Sequence, residues 1–143
     1  NYAPQLNEFL YWCQQLIAES LGKKGKGFLP VISPAPKDHH SLLQLYLDGP
    51  RDKIFYIFSL DSKYNDSLSK IKLAQKNAFL SILKKNKIPY REFNIRNSSE
   101  EVIGELFAYF MLETSIVGKT ININPFNQPA VEQVKNNTKK ILA

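Results

Sequence analysis

Glu19, the adjacent pair His39 and His40, and Lys135 are the side chains of this 143-residue sequence whose types and settings could move protons or hold developing charge. On a helix that advances roughly 100° per residue, Glu19 falls away from the face of Leu6, Cys13 and Ile17 and shares a stripe with Trp12 and Gln15. It is therefore either a solvated surface carboxylate or a base whose pKa an aromatic neighbour raises. The histidines follow Asp38, the expected N-cap of a short helix. A helix N-terminus disfavours the imidazolium, so a histidine there stays neutral and can exchange a proton with a substrate oxygen; capping and packing are the alternative roles. Two histidines without a third ligand make a poor metal site, so no zinc, other metal or cofactor is expected. Lys135 stands at the edge of the face formed by Val131, Val134, Thr138, Ile141 and Leu142, unlike Lys140 on the wet side. Either its stem lies along apolar surface, or its ammonium is held in a cleft to stabilise negative charge.

These residues need a scaffold, and the pattern supplies one. Apolar spacings of three and four predict a helix from Pro4 to about Leu21, with proline in its first turn and Gly22 as its stop. The glycine-broken basic loop Lys23 to Gly27 precedes Phe28 to Ile32, a short apolar run that Pro30 demotes to a sheet edge or an irregular strand. After the turn of Ser33 to Pro36, Asp38 opens a helix running through Leu42, Leu43, Leu45, Tyr46 and Leu47 until Gly49-Pro50. Lys53 to Leu60 has the continuous apolar character of a covered central strand. Asp61 to Ser69 is a surface loop, and Ile71 to Lys85 a helix with Ala74, Ala78, Phe79, Ile82 and Leu83 inward. Tyr90 to Ile95 is a further strand. Ser98 or Ser99 with Glu101 caps a long helix that buries Val102, Ile103, Leu106, Phe107 and Phe110. Beyond Gly118 comes a polar connector, then a last helix from about Ala130 to Leu142. The alternation is that of an α/β fold with one domain over residues 1–143, although three strands are few for such a sheet.

Composition narrows the function classes. A 43% hydrophobic, 22% charged chain with 17 aromatics is an ordinary globular one, and its longest apolar run falls far short of the roughly 18 residues of a membrane span. No membrane association is expected. A single cysteine, Cys13, allows no internal disulfide, and a cytoplasmic location fits best. The net charge of +6 invites a nucleic-acid partner, yet only three of the 19 basic residues are arginine and the lysines are scattered, so no nucleic acid is expected. The chain starts with Asn1 rather than Met, which suggests a sequence that begins inside a longer polypeptide, truncated on its N-terminal side, or after a removed tag.

Three ordered blocks carry a resemblance. They run from Trp12 to Lys23 (WCQQLIAESLGK), from Asp38 to Pro50 (DHHSLLQLYLDGP) and from Ile123 to Lys135 (INPFNQPAVEQVK). Together they resemble the C-terminal part of glucose-6-phosphate isomerase, over about Tyr2 to the end. The resemblance implies a partial sugar isomerase (SIS), flavodoxin-like sandwich, with a small, mostly parallel sheet flanked by helices. It implies aldose–ketose isomerisation of glucose 6-phosphate and fructose 6-phosphate through a cis-enediol. Glu19 then matches the base that moves a proton between C2 and C1, His40 the ring-opening histidine supplied across a homodimer interface, Lys135 the lysine at the ring oxygen, and Gln128 a substrate-contacting glutamine. His39, Asn127 and Ala130 stand where that family's pattern has Gln, Asp and Gly. The family's phosphate loop and catalytic arginine have no counterpart here, and Asp61 and Asp66 argue against a phosphate cradle in the loop between them. A sugar phosphate substrate is implied, with an isolated chain that is a very poor catalyst; the alternative is a non-catalytic sugar-phosphate-binding module.

Overall fold

The computed structural model describes residues 1–61 and 66–143. Its described elements are a 3-10 turn (Pro4–Leu6), α1 (Asn7–Leu21), α2 (Lys37–Ser41), α3 (Leu43–Asp48), β1 (Phe55–Leu60), α4 (Ser67–Lys85), β2 (Tyr90–Ile95), α5 (Glu100–Thr120) and α6 (Pro129–Leu142). They form two compact units: Asn1–Phe9 with Ile32–Ile103, and Leu10–Val31 with Gly104–Ala143.

The first unit is α/β, as expected. β1 and β2 pair in parallel from Phe55 opposite Tyr90 to Leu60 opposite Ile95, and α4 is the crossover that parallel strands require. Along β1 the side chains alternate between the two faces of this sheet. Ile57 joins Phe79 and Leu83 of α4, together with Tyr2 and Ile88, in a buried cluster flanked by Leu43 and Leu47 of α3. On the opposite face Phe58 stacks on Phe93 at 4.6 Å and receives the edge of Phe9 at 6.3 Å. The Tyr2 N–H donates to the Phe58 carbonyl at 2.8 Å, which gives one bond of the outer β1 edge a partner.

α4 turns only part of the expected face inward, with Phe79 and Leu83 buried as expected and Lys76 joining them, while Ala74, Ala78 and Ile82 are exposed. The reason lies across the helix–sheet contact, where β1 and β2 present Ser59, Glu92 and Asn94. Lys76 Nζ donates to Ser59 Oγ at 3.1 Å and to Glu92 Oε1 at 2.8 Å, and Ser59 Oγ donates to Asn94 Oδ1 at 3.0 Å. The lysine stem fills apolar space while its ammonium meets this polar strip. Of the expected loop Asp61 to Ser69, residues 62–65 lie outside the described set. Its far end is helical, because the Asp66 carboxylate accepts from the Ser69 N–H at 2.9 Å and caps α4 four residues before the expected start.

The expected edge strand Phe28 to Ile32 is not formed. Pro30 has no N–H to give a ladder, its carbonyl accepts from the Gln14 side chain, and Phe28, Leu29 and Val31 are exposed. Among the described residues the sheet therefore has two strands.

In the second unit α1 contributes buried Leu10, Cys13 and Leu21, and α5 contributes Leu106, Phe110, Thr114 and Gly118. Trp12 meets Phe107 edge-on at 4.4 Å. Gly118 is where the connector crosses α5: an added Cβ there would lie 3.3 Å from Pro125 and 3.4 Å from Leu21. Lys23 Nζ and Lys26 Nζ donate to the carbonyls of Asn124 and Ile121 and tie the basic loop to the connector. No residue of α6 is buried.

Replacing Leu83, which has no exposed surface, by alanine is expected to lower the unfolding free energy by about 2–5 kcal/mol. Lys76→Met, which keeps the stem volume and leaves Glu92 in contact with water, should change it by less than about 1.5 kcal/mol. Urea denaturation followed by circular dichroism measures both.

Candidate functional site

Glu19 occupies the last turn of α1, where the helix gives way at Gly22 to the basic loop. The helical period sets it off the buried stripe, as its spacing predicts, and it is half-buried. Gln15, one turn back, donates from Nε2 to Glu19 Oε2 at 3.5 Å. The Glu19 carboxylate also acts on two ammonium groups. Desolvation lowers the Lys23 pKa, with Glu19 opposing that fall. At Lys135 the pKa is raised, first by the hydrogen bond and charge of Glu132 and then by the charge of Glu19. Glu132 is thus the main partner of Lys135, and the charge of Glu19 is a minor influence on it.

Lys135 lies on the exposed surface of α6. Its side chain is 59% exposed and its Nζ donates to Glu132 Oε1 at 2.8 Å, one turn earlier on α6. No residue of α6 is buried, so the ammonium stands at the surface beside Glu132. Gln128 stands at the N-cap of α6, ahead of Pro129, with no side-chain capping bond. Its backbone carbonyl accepts from the Glu132 N–H at 3.3 Å, and its side chain is exposed.

His40 belongs to the other unit. The expected capping role of Asp38 is not observed: α2 begins at Lys37 after Pro36, and Asp38 lies in the first turn, accepting from Ser33 Oγ at 2.8 Å. Leu42 leaves helical geometry at φ −123° and divides the expected single helix into α2 and α3. The two histidines then have different surroundings. His39 Nε2 lies 2.6 Å from Tyr2 Oη, and its ring packs against Tyr2 and Phe79. His40 is exposed and its side chain makes no hydrogen bond among the described residues. Successive positions on a helix point roughly 100° apart, so adjacent histidines cannot share one environment.

His39 is held toward its neutral form, and the cause is burial, followed by the charge of the amino terminus at Asn1. Cys13 is no nucleophile, since burial, aided by Glu113, pushes its thiol up to about 12. Among the described residues no group of three or more His, Cys, Asp or Glu could hold a metal ion, and no helix is long and apolar enough to cross a membrane. Sequence reasoning missed the coupling of Lys23 to Glu19, for which the four-residue spacing across Gly22 was the available signal, and the buried Lys76, for which there was none.

No protein-family model matches the chain. It is 36% identical to the probable glucose-6-phosphate isomerase of Methanococcus maripaludis, over 94% of its own length and 34% of that protein's. The identity to the glucose-6-phosphate isomerase of Methanocaldococcus jannaschii is also 36%, over 94% and 37%. With that of Mycoplasmopsis synoviae it is 34%, over 96% and 36%. The chain thus spans about a third of the length of the curated relatives it matches. A hypothetical protein of Thermus thermophilus superposes with a TM-score of 0.83 at 26% identity, covering 99% of this chain and 40% of that one. The glucose-6-phosphate isomerase of Chlamydia trachomatis has the same fold over 99% of this chain and 33% of its own, with a TM-score of 0.78 at 19% identity.

A neutral His39 makes the fold sensitive to acid. Its folded pKa lies below the ordinary 6.5, so its contribution to stability is complete above about pH 6.5 and is lost as the pH falls through the lower folded value. His39→Gln, which keeps a partner for Tyr2 but does not titrate, is expected to flatten the decline in unfolding free energy as the pH falls below about 6.5. Denaturant melts across that range give the slope.

Proposed function

We propose that this chain, a relative of the glucose-6-phosphate isomerases along a third of their length, is the C-terminal, SIS-type part of such an isomerase and carries its proton-transfer group. The observation that supports this reading most directly is the place of Glu19, off the buried stripe in the last turn of α1 and in the same compact unit as Lys135 and Gln128. A carboxylate beside a cation is what an enediol intermediate requires: one group to take and return the proton, the other to stabilise the oxygen that becomes negative. Glu19 is the base that carries the proton between C2 and C1 of the open-chain sugar. Lys135 assists opening of the ring at its oxygen, and Gln128 orients the sugar from the N-terminal end of α6. Glu19 and Lys135 lie in one unit, and the exposed amide of Gln128 is available to the same ligand.

His40, exposed on α2, is the second ring-opening group and acts on the Glu19–Lys135 pair of another copy in a homodimer. No metal is needed for this chemistry, since the charge changes are met by a carboxylate, an imidazole and an ammonium. The substrate's phosphate is held by polypeptide corresponding to the other two-thirds of the relatives, and that remote binding energy orients the sugar. The reaction is accordingly a cytoplasmic interconversion of glucose 6-phosphate and fructose 6-phosphate, slow in the isolated chain.

The test is a chimera in which this chain replaces the matching third of the Methanocaldococcus jannaschii enzyme, assayed by coupling glucose 6-phosphate formation to a dehydrogenase. Conversion of fructose 6-phosphate is expected, with Glu19→Gln lowering kcat by about 10²-fold or more. Activity that survives Glu19→Gln in the folded chimera would assign the base elsewhere. His40→Ala is expected to lower kcat as well, and mixing it with Glu19→Gln should restore part of the activity through hybrid dimers. If the mixture recovers nothing while sedimentation shows exchanging dimers, His40 does not act across the interface.

A further inference from the structure

A second concavity, in the first unit, has a chemistry that the isomerase reading does not use. It is a cavity of about 360 Å³ between the end of α3, the segment leading into β1 and the turn before β2. The parallel register creates it: with Phe55 opposite Tyr90, the Phe55 N–H donates to the Pro89 carbonyl at 3.0 Å and brings residues 50–55 beside 87–89. α4 ends there with Lys87 at φ +54°, the Lys87 N–H on the Lys84 carbonyl and the Ile88 N–H on the Leu83 carbonyl. This helix-ending turn points Ile88 into the core and leaves Lys87 on the cavity wall.

The wall combines two kinds of group. Tyr46 and Phe55, in edge-to-face contact at 5.3 Å, form an aromatic side with Ile88. Arg51, Lys53 and Lys87 form a cationic side. Lys53 is largely neutralised, because its Nζ donates to the Asp52 carboxylate and to the Pro50 carbonyl. Arg51 is positioned by one bond, from Nη1 to the Asn86 carbonyl at 3.0 Å, which leaves its remaining donors available. Lys87 has no ion-pair partner among the described residues. Two positive charges are thus left uncompensated beside an aromatic wall.

Among the cavity's lining residues there is no carboxylate and no side-chain amide. A free polyol sugar is recognised through several hydroxyl contacts to such groups, whereas a flat ring needs apolar and aromatic surface and a phosphate needs paired cations. We propose that this cavity binds a nucleoside phosphate, with the phosphate between Arg51 and Lys87 and the base against Tyr46, Phe55 and Ile88. The site does not involve Glu19, Lys135, Gln128 or His40, and so is a second ligand site, open to regulation by nucleotide level.

The experiment is a titration of the chain with adenosine 5′-monophosphate, followed through backbone amide resonances in two-dimensional NMR. Saturable shifts at Tyr46, Lys53, Phe55 and Ile88 are expected. The pair Arg51→Ala with Lys87→Gly, the glycine chosen to keep the positive φ, should weaken binding by about tenfold or more. Tyr46→Leu should weaken adenosine monophosphate but leave any inorganic phosphate binding unchanged. The proposal is overturned if no saturable shift occurs at these positions, if the double variant binds as well as the parent, or if inorganic phosphate or glucose 6-phosphate produces the same shifts at equal concentration. None of these outcomes bears on the Glu19 chimera, so the two readings stand or fall separately.

Discussion

The parallel pairing of β1 with β2 is the constraint from which the first unit follows. Two parallel strands cannot be joined by a tight turn, so a long crossover must return the chain to the starting end of the sheet. α4 makes that return. It also covers one face, where Phe79 and Leu83 meet Ile57 and Ile88. The same register brings Phe55 to Tyr90 and Ser59 to Asn94, which sets up both the cationic cavity at one end of the strands and the Lys76–Ser59–Asn94 bonding toward the other. A slip of one residue would turn Ile57 and Ser59 to the opposite face and leave Leu83 and Lys76 facing the wrong partners.

Lys76 illustrates how a charged group stabilises such an arrangement without dominating it. Its 8%-exposed side chain pairs with a Glu92 that is 38% exposed, so one partner keeps much of its hydration. A pair of that kind loses less to desolvation than a fully buried one and gains less than Coulomb's law at low dielectric suggests. Its value lies in direction: it selects which face of a lysine-rich helix turns toward the sheet.

In the second unit the ordering device is close approach rather than strand pairing. Gly118 lets the connector pass against α5, Ile123 is buried there, and two lysines from the loop after α1 donate to connector carbonyls. The connector leads directly to Gln128 and α6, while the same loop begins just after Glu19. The elements that carry Glu19 and Lys135 are thereby joined by a short set of fixed contacts. α6 itself shows a strong division of apolar and polar faces with Val134, Ile141 and Leu142 exposed, in a chain that matches only a third of the length of its curated relatives.

The helices and the two strands were legible because each is written in a local period. Spacings of three and four mark α1 and α5, and continuous apolar β-formers mark β1. The off-face position of Glu19 follows from the same arithmetic, and the blocks around Glu19, His40 and Lys135 carry their resemblance without any three-dimensional information. What periodicity does not contain is the identity of the surface that each face meets. The inward turn of Lys76 and the packing of His39 against Tyr2 and Phe79 while His40 stays free depend on residues far away in sequence. Tertiary structure decided them because burial and hydrogen bonding are satisfied between elements, and only the strand register says which elements meet.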